Sequence, residues 1–286
     1  MKKNIRIMAD STIGINEYEI KKRNITIIPL NVIIDGVSYK DEVEIFIDDV
    51  LEFVKKGIKV GSSQPSPDLF EKKFLQLKEE GATDILCFTL SSTLSGTYQS
   101  ANIAKTDIKD VNIYIIDTFS ASIGSLLMYD IAMEDLDSGM EITDMVKHIE
   151  ALTRKSTVIL NMENLNALKI SGRISRIRAA IGNLIKVKPI LEYKEGILEV
   201  TSKYRTESAV HNAIIEKIKN DYLKMKKRMI IYIGHVYNRE SSKKLQNLIE
   251  KTKELKNVTI KFFDKMTAVV AINIGFGGIG LSWVYE

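Results

Sequence analysis

The chain of 286 residues, 45% of them hydrophobic and 27% charged, can form one large domain or two domains of ordinary size. Its 41 lysines and arginines nearly balance its 37 aspartates and glutamates, for a formal net charge of +4, so we expect solvated helix faces rather than a surface for nucleic acid. The single cysteine, Cys87, excludes an internal disulfide and favours a reducing compartment, so we expect a cytoplasmic protein.

The first half of the chain alternates short β-branched strands with amphipathic helices. Strands are predicted at 5–10, 84–90 and 111–117, and one or two strands at 25–35 with a turn at Asp35-Gly36. Helices are predicted at 16–23, 48–57, 66–81, 95–105, 122–139 and 141–155. Strands that read as continuous apolar runs between helices are typical of a parallel sheet covered on both faces, so we predict an α/β domain over residues 1–154.

The pattern changes in the second half. Strands are predicted at 156–163, 228–236 and 257–264, a hairpin at 186–205 with its turn at Glu195-Gly196, and helices at 206–226 and 239–254. Adjacent hairpin strands indicate an α+β domain with a mixed or antiparallel sheet over residues 155–286. Because no proline- or serine-rich linker separates the halves, we expect the two domains to pack closely.

Neither a signal peptide nor a membrane span is predicted. The N-terminal MKKNIRIMADST contains no apolar stretch long enough for a signal peptide, and no window approaches the roughly 18 apolar residues of a spanning helix. We therefore expect contact with lipid to involve single molecules or a surface, without stable membrane insertion.

Hydroxyl side chains cluster where the predicted strands meet the following helices. These turns are ADST at 9–12, GSSQPSP at 61–67, LSSTLSGTYQSA at 90–101 and IDTFSAS at 116–122. Ligands bind at the carboxyl ends of parallel strands, and the free N–H groups of helix N-termini suit anions. We predict that the four turns line one edge of a single sheet.

Each of these hydroxyls could instead cap a helix. We expect such a capping role for three serines, which are Ser66, Ser120 and Ser122. The density of donors favours ligand binding for another three, which are Ser62, Ser63 and Ser95. Gly96 lets the backbone come close to a bound group.

The common catalytic signatures are missing from the sequence. It has no G-x-S-x-G, H-E-x-x-H, paired C-x-x-C or P-loop motif. GFGGIG at 275–280 matches G-x-G-x-x-G, but too few residues follow for a nucleotide-binding unit, so we interpret it as a tight turn near a ligand or a domain interface. His148, His211 and His235 have no partner at metal-ligand spacing. We therefore predict no metal, no catalytic residue and no cofactor.

Two basic residues have open interpretations. Arg173 follows Gly172 in KISGRISR, where its guanidinium could bind a carboxylate or phosphate through two hydrogen bonds, or lie in a basic surface loop. Lys188 in KVKPIL could be a charge at a strand edge.

Taken together, these motifs resemble the DegV family, fatty-acid-binding proteins that include the FakB subunits of bacterial fatty acid kinase. The matching segments are DST at 10–12, ITIIPLNVIIDGVSYKD at 25–41, SSQPSP at 62–67, LSGTYQSA at 94–101, IDT at 116–118, GRIS at 172–175, KPIL at 188–191 and GFGGIG at 275–280. SQPSP combined with LSGTYQSA is highly specific.

The resemblance implies a two-domain lipid-binding protein, not an enzyme, that holds one long-chain fatty acid in a tunnel between its domains. A partner kinase would phosphorylate the exposed carboxylate for phospholipid synthesis. The family's head-group residues fall on Ser62 for TSQPS, on Ser95 and Gly96 for LSG, and on Arg173 for GGRIS.

The late HTGPG segment of the family departs from this pattern. Aligned on NIGFG, it places Asn273 where a histidine is expected and Ile274 where a threonine is expected. Asparagine can donate an N–H to a carboxylate but cannot become a cation. Ser62 in place of threonine is a milder change.

Two other functions are compatible with the same turns. One is an enzyme for a small carboxylated or phosphorylated metabolite that uses Ser95, Arg173 and His235. The other is a regulatory protein that senses lipid without a kinase. A long dry tunnel would favour lipid, whereas a short wet pocket would favour the metabolite.

Overall fold

The computed structural model describes residues 3–178, 187–194, 197–225, 228–264 and 266–285. The chain divides into two compact units, of which the first contains Met1–Thr153 and Thr267–Val269 and the second Arg154–Met266 and Val270–Glu286. A boundary after residue 154 is predicted from the sequence. No sequence pattern marks the return of the chain to the first unit at Thr267–Val269.

The first unit contains seven strands and six helices among the described residues. The strands are β1 (Ile5–Asp10), β2 (Thr26–Ile28), β3 (Asn31–Ile34), β4 (Val37–Lys40), β5 (Val60–Ser63), β6 (Asp84–Thr89) and β7 (Asn112–Asp117). The helices are α1 (Glu17–Arg23), α2 (Ile47–Lys55), α3 (Pro67–Glu79), α4 (Thr97–Lys105), α5 (Ile123–Asp137) and α6 (Ile142–Thr153), with a 3-10 helix at Ser11–Ile13.

Four of these strands form the predicted parallel sheet, in the order β2-β1-β6-β7. Every residue of the central strand β6 is buried, which explains why DILCFT does not alternate between apolar and polar residues. Phe70 and Phe74 of α3 pack with Ile85 and Cys87 of β6 in one hydrophobic cluster. Burial raises the pKa of the Cys87 thiol, which fits the expected inert cysteine.

The remaining strands of the first unit form a separate antiparallel sheet in the order β4-β3-β5. Asp35 and Gly36 have positive φ and connect β3 to β4, which confirms the predicted turn. The strand β5 is not predicted, because VGSS lacks the apolar β-branched run that marks a strand.

The second unit also contains seven described strands. They are β8 (Thr157–Asn161), β9 (Ile177–Arg178), β10 (Lys188–Lys194), β11 (Ile197–Tyr204), β12 (Met229–His235), β13 (Val258–Phe263) and β14 (Ile279–Tyr285). Its helices are α7 (Asn166–Ile170), α8 (Glu207–Met225), α9 (Arg239–Glu250) and α10 (Ala268–Ile274), with a 3-10 helix at Arg173–Arg176. Helix α10 starts in the segment assigned to the first unit and ends in the second.

These strands form one mixed sheet in the order β13-β12-β14-β8-β10-β11-β9. The pairs β12–β13 and β11–β9 are parallel, and the others are antiparallel. Strands β10 and β11 form the predicted hairpin, whose predicted turn at Glu195-Gly196 lies outside the described residues. The predicted fold class, a mostly parallel first sheet and a mixed second sheet flanked by helices, is confirmed.

The C-terminal segment differs most from the sequence-based expectation. The predicted tight turn is present, with positive φ at Gly275 and Gly277 and a bond from Gly278 N to Gly275 O of 3.3 Å. The residues that follow it form β14, which lies between β12 and β8 and buries Trp283 completely. Among the described helices, none is long and apolar enough to cross a membrane.

Candidate functional site

Ser95 lies in the turn between β6 and α4, where its side chain is almost completely buried. Its Oγ accepts from Thr97 N at 3.3 Å and lies 2.9 Å from Thr97 Oγ1. A hydroxyl offers one donor and two acceptor positions, so these contacts leave Ser95 with capacity for one further hydrogen bond. The predicted helix start at residue 95 moves to Thr97 because Ser95 and Gly96 form this turn.

Gly96 permits a close contact with Gln64. Gly96 N donates to Gln64 Oε1 at 3.2 Å, and a Cβ at Gly96 would lie 2.4 Å from Gln64 Nε2. The loop after β5 and the turn after β6 are therefore joined within the first unit.

Ser62 and Ser63 are half-buried residues of β5, opposite Val32 and Asn31 of β3. The prediction that all four hydroxyl-rich turns line one parallel sheet is wrong for this pair. Backbone pairing with β3 places both serines in the antiparallel sheet instead. Asn31 Nδ2 donates to Ser63 Oγ and to Gln64 O, both at 3.2 Å, and thereby fixes the segment that contacts Gly96.

Asp10, at the end of β1, is a buried acid that sequence reasoning missed. It accepts from Thr12 N at 2.9 Å and from Leu90 N at 2.6 Å, so it holds the start of the turn that contains Ser95. Burial raises the pKa of Asp10 to about 6, although its hydrogen bonds oppose that shift. Its position directly after an apolar strand, inside ADST, was the signal available in the sequence.

Asp41 is a second buried acid that the sequence did not reveal. Its carboxylate accepts from Ser11 Oγ at 2.6 Å and from Val269 N at 3.1 Å. Burial raises the pKa of Asp41 to about 6 as well. Ser11 Oγ also accepts from Leu30 N at 3.1 Å, so the turn after β1 joins three segments of the first unit.

The turn after β7 packs against the turn after β6. Ser91 N donates to Ser120 O at 2.6 Å, and Ser92 N lies 3.3 Å from both carboxylate oxygens of Asp117. Many of the hydrogen bonds at this edge of the parallel sheet therefore stabilise the turns themselves.

The predicted capping roles have different outcomes. Ser66 Oγ accepts from Leu69 N at 3.3 Å at the start of α3, which confirms its role. Ser122 occupies the cap position of α5 with φ 54° and ψ −126°, but within the described chain its hydroxyl caps no helical N–H. Ser120 Oγ donates to Ala121 O at 3.4 Å. The capping prediction is therefore wrong for Ser120 and Ser122.

The other predicted head-group residues belong to the second unit. Arg173 begins a 3-10 helix, and its Nη1 donates to Ser171 O at 2.7 Å. Asn273 and Ile274 end α10, and Ile274 is buried. A Cβ at Gly275 would lie 3.2 Å from Ala167 Cβ, so the end of α10 adjoins α7, the helix that precedes Arg173. Their roles in binding stay predictions.

Lys188 forms an ion pair with Glu163 in the second unit. A Cβ at Gly277 would lie 2.6 Å from Glu163 Cγ, so the glycine-rich turn leaves room for this glutamate. Lys188 is therefore a paired charge at the start of β10.

The three histidines make local contacts. His235 Nδ1 accepts from Asn238 N at 3.3 Å, His211 Nε2 lies 3.0 Å from Ser241 Oγ, and His148 Nδ1 lies 2.7 Å from Asp135 Oδ2. Burial lowers the pKa of His211 and of His235. In the part of the chain that the structure describes, no group of three or more histidine, cysteine or acidic side chains could hold a metal ion.

Comparisons with known proteins agree on one family. Residues 4–286 match the profile of the DegV family, described as uncharacterised proteins. A fatty acid-binding protein of Thermotoga maritima is 32% identical over 283 residues, which cover 96% of each chain. The solved structure of a DegV family protein from Thermus thermophilus, described by its fatty acid binding, has a TM-score of 0.88 at 26% identity and covers 99% of both chains. A stearic acid-binding protein of Eubacterium ventriosum has a TM-score of 0.89 at 25% identity, with 99% of this chain and 98% of that chain covered.

Proposed function

Because the chain belongs to the DegV family, we propose that it binds a single long-chain fatty acid and presents the carboxylate to a partner fatty acid kinase. The family membership confirms the resemblance indicated by the sequence motifs. The match along nearly the whole chain to relatives named for fatty acid binding is the observation that carries the binding proposal. The kinase partner rests on the resemblance alone.

The energetics of a fatty acid fit a site made of neutral donors. Burying about 14 methylenes of a sixteen-carbon chain at roughly 0.8 kcal/mol each yields on the order of 11 kcal/mol before the cost of association. Hydrogen bonds to a carboxylate add about 1.5–3 kcal/mol apiece. The hydrocarbon therefore supplies most of the affinity, and the head-group residues fix which end is presented.

Ser95 is the residue best suited to bind the acid end. It is nearly buried, keeps one hydrogen-bonding position and lies next to Gly96, which Gln64 connects to the loop after Ser63. Ser62, Ser63 and Gly96 are proposed to complete this part of the site, with Arg173, Asn273 and Ile274 contributed by the second unit. The tunnel for the hydrocarbon stays a prediction.

Lipid content tests the binding proposal directly. We expect native mass spectrometry of the purified protein to show one bound acyl chain, and the delipidated protein to take up palmitic, stearic or oleic acid. A wild-type protein that takes up none of these acids, or that binds each acid and its matching alcohol equally well, would contradict the proposal.

A substitution at Ser95 tests the acid end. Ser95→Ala should weaken fatty acid binding by about 1–3 kcal/mol because one hydrogen bond to the carboxylate is lost. Affinity for the matching alcohol should change much less. Ser66→Ala is the matched control, since Ser66 caps α3 and is not placed in the site.

The kinase step is tested by adding a fatty acid kinase catalytic subunit and ATP. The carboxylate oxygen would attack the γ-phosphorus of ATP, and the products would be an acyl-phosphate and ADP. We expect Arg173→Ala to leave fatty acid affinity nearly unchanged and to lower the rate of acyl-phosphate formation. Arg239→Ala, which removes an exposed ion pair with Asp264, should affect neither quantity. Equal rates for wild type and Arg173→Ala would remove Arg173 from the kinase proposal.

A further inference from the structure

The segment Thr267–Val269 is attached to two acids of the first unit. Val269 N donates to Asp41 Oδ1 at 3.1 Å, and Ala268 N donates to Glu42 Oε1 at 3.2 Å. Asp41 is completely buried and also accepts from Ser11 Oγ at 2.6 Å. These bonds satisfy N–H groups in the first turn of α10 that have no partner within the helix.

The position of this segment along the chain gives the contact its significance. The residues before Thr267 and after Val269 group with the second unit, whereas these three residues group with the first. Helix α10 begins here and ends at the predicted head-group residues Asn273 and Ile274. The contacts of Asp41 therefore fix the start of the helix that carries both residues.

We propose that Asp41 is a positioning residue for the acid site, which it serves by holding the first turn of α10 and hence Asn273 and Ile274. This inference rests on the proposed fatty acid binding. Asp41 acts through the start of α10 and does not itself touch the ligand. An ionised carboxylate accepts the hydrogen bonds from Ser11 Oγ and Val269 N more strongly than a protonated carboxyl group does. The attachment of α10 to Asp41 therefore depends on the charge of Asp41.

The ionisable groups around Asp41 are also acidic. They are Asp10, at the end of β1, and Glu42, the next residue in the chain, which binds Ala268 N. Within the described residues, no lysine or arginine forms an ion pair with Asp41 or Asp10. Burial raises the pKa of both aspartates to about 6. Asp41 therefore gains a proton as the pH falls from 7.5 to 5, and its attachment to Val269 weakens.

Two measurements on the full-length protein test the proposal. The first is amide hydrogen exchange of the peptide that contains Ala268 and Val269, which requires no ligand. The second is the affinity for oleate between pH 7.5 and pH 5. At pH 7.5 we expect Asp41→Asn to speed exchange of this peptide about tenfold and to weaken oleate binding about tenfold, as expected for one charged hydrogen bond. At pH 5 the affinities of Asp41→Asn and wild type should differ by less than about twofold, because Asp41 is then protonated.

Two further variants separate positioning from general stability. Ser11→Ala keeps the carboxylate but removes a hydrogen bond that lowers the pKa of Asp41, so the midpoint of the affinity profile should move to higher pH. Asp84→Asn is the matched control. Asp84 is a buried carboxylate at the start of β6, the end opposite the turn that contains Ser95, and it accepts from Asn112 Nδ2. Asp84→Asn should leave the exchange of the 268–269 peptide and the pH profile of oleate binding unchanged.

The outcomes distinguish this proposal from the proposed function. If wild type binds oleate but Asp41→Asn has the wild-type affinity and pH profile, Asp41 is not a positioning residue. If Asp84→Asn reproduces the effects of Asp41→Asn, those effects reflect general stability and the proposal is overturned. If wild type binds no fatty acid, the proposed function fails, while the exchange of the 268–269 peptide still decides whether Asp41 holds the start of α10.

Discussion

The two units contain buried groups whose pKa values are shifted by burial in opposite directions. The first buries Asp10 and Asp41, and burial raises the pKa of each to about 6. The second buries His211 and His235, and burial lowers the pKa of each. In both units burial favours the neutral form, which the carboxyl groups reach by gaining a proton and the histidines by losing one. Acidification should therefore change the stability of the two units in opposite directions.

This difference matters only if the units can respond separately. Substitutions in the hydrophobic core of each unit test whether the units unfold separately, and they have the largest expected effects on stability. Trp283, completely buried in β14, also donates from Nε1 to Asp221 Oδ2 at 3.2 Å, and Phe88, completely buried in β6, packs edge-on against Tyr129. Replacing either by alanine should cost about 3–5 kcal/mol of stability. We expect Trp283→Ala to lower the protection of second-unit peptides and Phe88→Ala that of first-unit peptides.

Urea unfolding followed by hydrogen exchange and mass spectrometry measures this for each unit. Leu248→Ala is the control, because Leu248 is 42% exposed and its removal should cost less than about 0.5 kcal/mol. If both core variants lower the protection of both units equally, the chain unfolds as one cooperative body. The opposite pH responses would then cancel within a single transition.

The pH dependence is the next largest effect. Since the pKa of Asp10 and of Asp41 is higher in the folded state than the ordinary value of 3.8, the folded first unit takes up protons before the unfolded chain does. Its stability should rise by about 1 kcal/mol per carboxyl group as the pH falls from 7.5 to 5. The histidines have the opposite sign, because the unfolded chain takes up protons first as the pH falls through the ordinary value of 6.5. The second unit should therefore lose stability over the same range.

Hydrogen exchange of both units at pH 7.5 and pH 5, corrected for the intrinsic pH dependence of exchange, shows whether each unit gains or loses stability as predicted. Asp10→Asn should remove part of the gain in the first unit and leave the second unit unchanged. A first unit that loses stability on acidification would show that other groups outweigh the two buried aspartates.

The sequence revealed local features of the fold more fully than distant contacts. Helix α3 was predictable because Ser66, Pro67 and Gly81 mark its ends, and β6 because its apolar run is continuous. Strand β14 was missed because it directly follows a glycine-rich turn and its place between β12 and β8 depends on distant residues. The strand β5 was missed because its serines are held in the sheet by backbone hydrogen bonds to β3. Such bonds do not depend on the type of side chain, so the sequence does not reveal them.

The candidate site shows the same limit. The hydroxyl-rich turn at Ser95 could be recognised from composition, but its contact with Gln64 could not. Asp41 resembles any surface aspartate in the sequence, and its partner Val269 lies 228 residues away. A buried acid is recognisable only when the segments that enclose it are known, so sequence motifs indicated the hydroxyl-rich turn and not the residues that support it.

One glycine in each unit lies close to a side chain, and replacing these two glycines by alanine should have smaller effects on stability. Gly277 in the second unit has φ +91°, and a Cβ there would overlap Glu163 Cγ, whereas Gly96 in the first unit has an ordinary φ and would displace only the flexible end of Gln64. Gly277→Ala should destabilise the second unit by about 1–2 kcal/mol, since a positive φ disfavours a side chain. Gly96→Ala should cost the first unit less than about 1 kcal/mol, the net value of one hydrogen bond.

Thermal and urea unfolding measure both costs. Gly61→Ala is the control, since a Cβ there would lie within 4 Å of no described atom and the backbone φ is not positive. Equal costs for Gly96→Ala and Gly277→Ala would mean that contact with a side chain, rather than backbone conformation, decides the effect.

The smallest expected effects concern one helix start in each unit. Ser66 Oγ accepts from Leu69 N at the start of α3, and Thr206 Oγ1 accepts from Ala209 N at 3.2 Å at the start of α8. Both side chains are exposed, so their replacement by alanine should cost about 0.5–1 kcal/mol each, at the lower end for capping residues. Hydrogen exchange should place the loss from Ser66→Ala in the first unit and that from Thr206→Ala in the second. Ser122→Ala should cost less than either, because within the described chain the Ser122 hydroxyl caps no helical N–H; a larger cost would assign Ser122 a contact beyond capping.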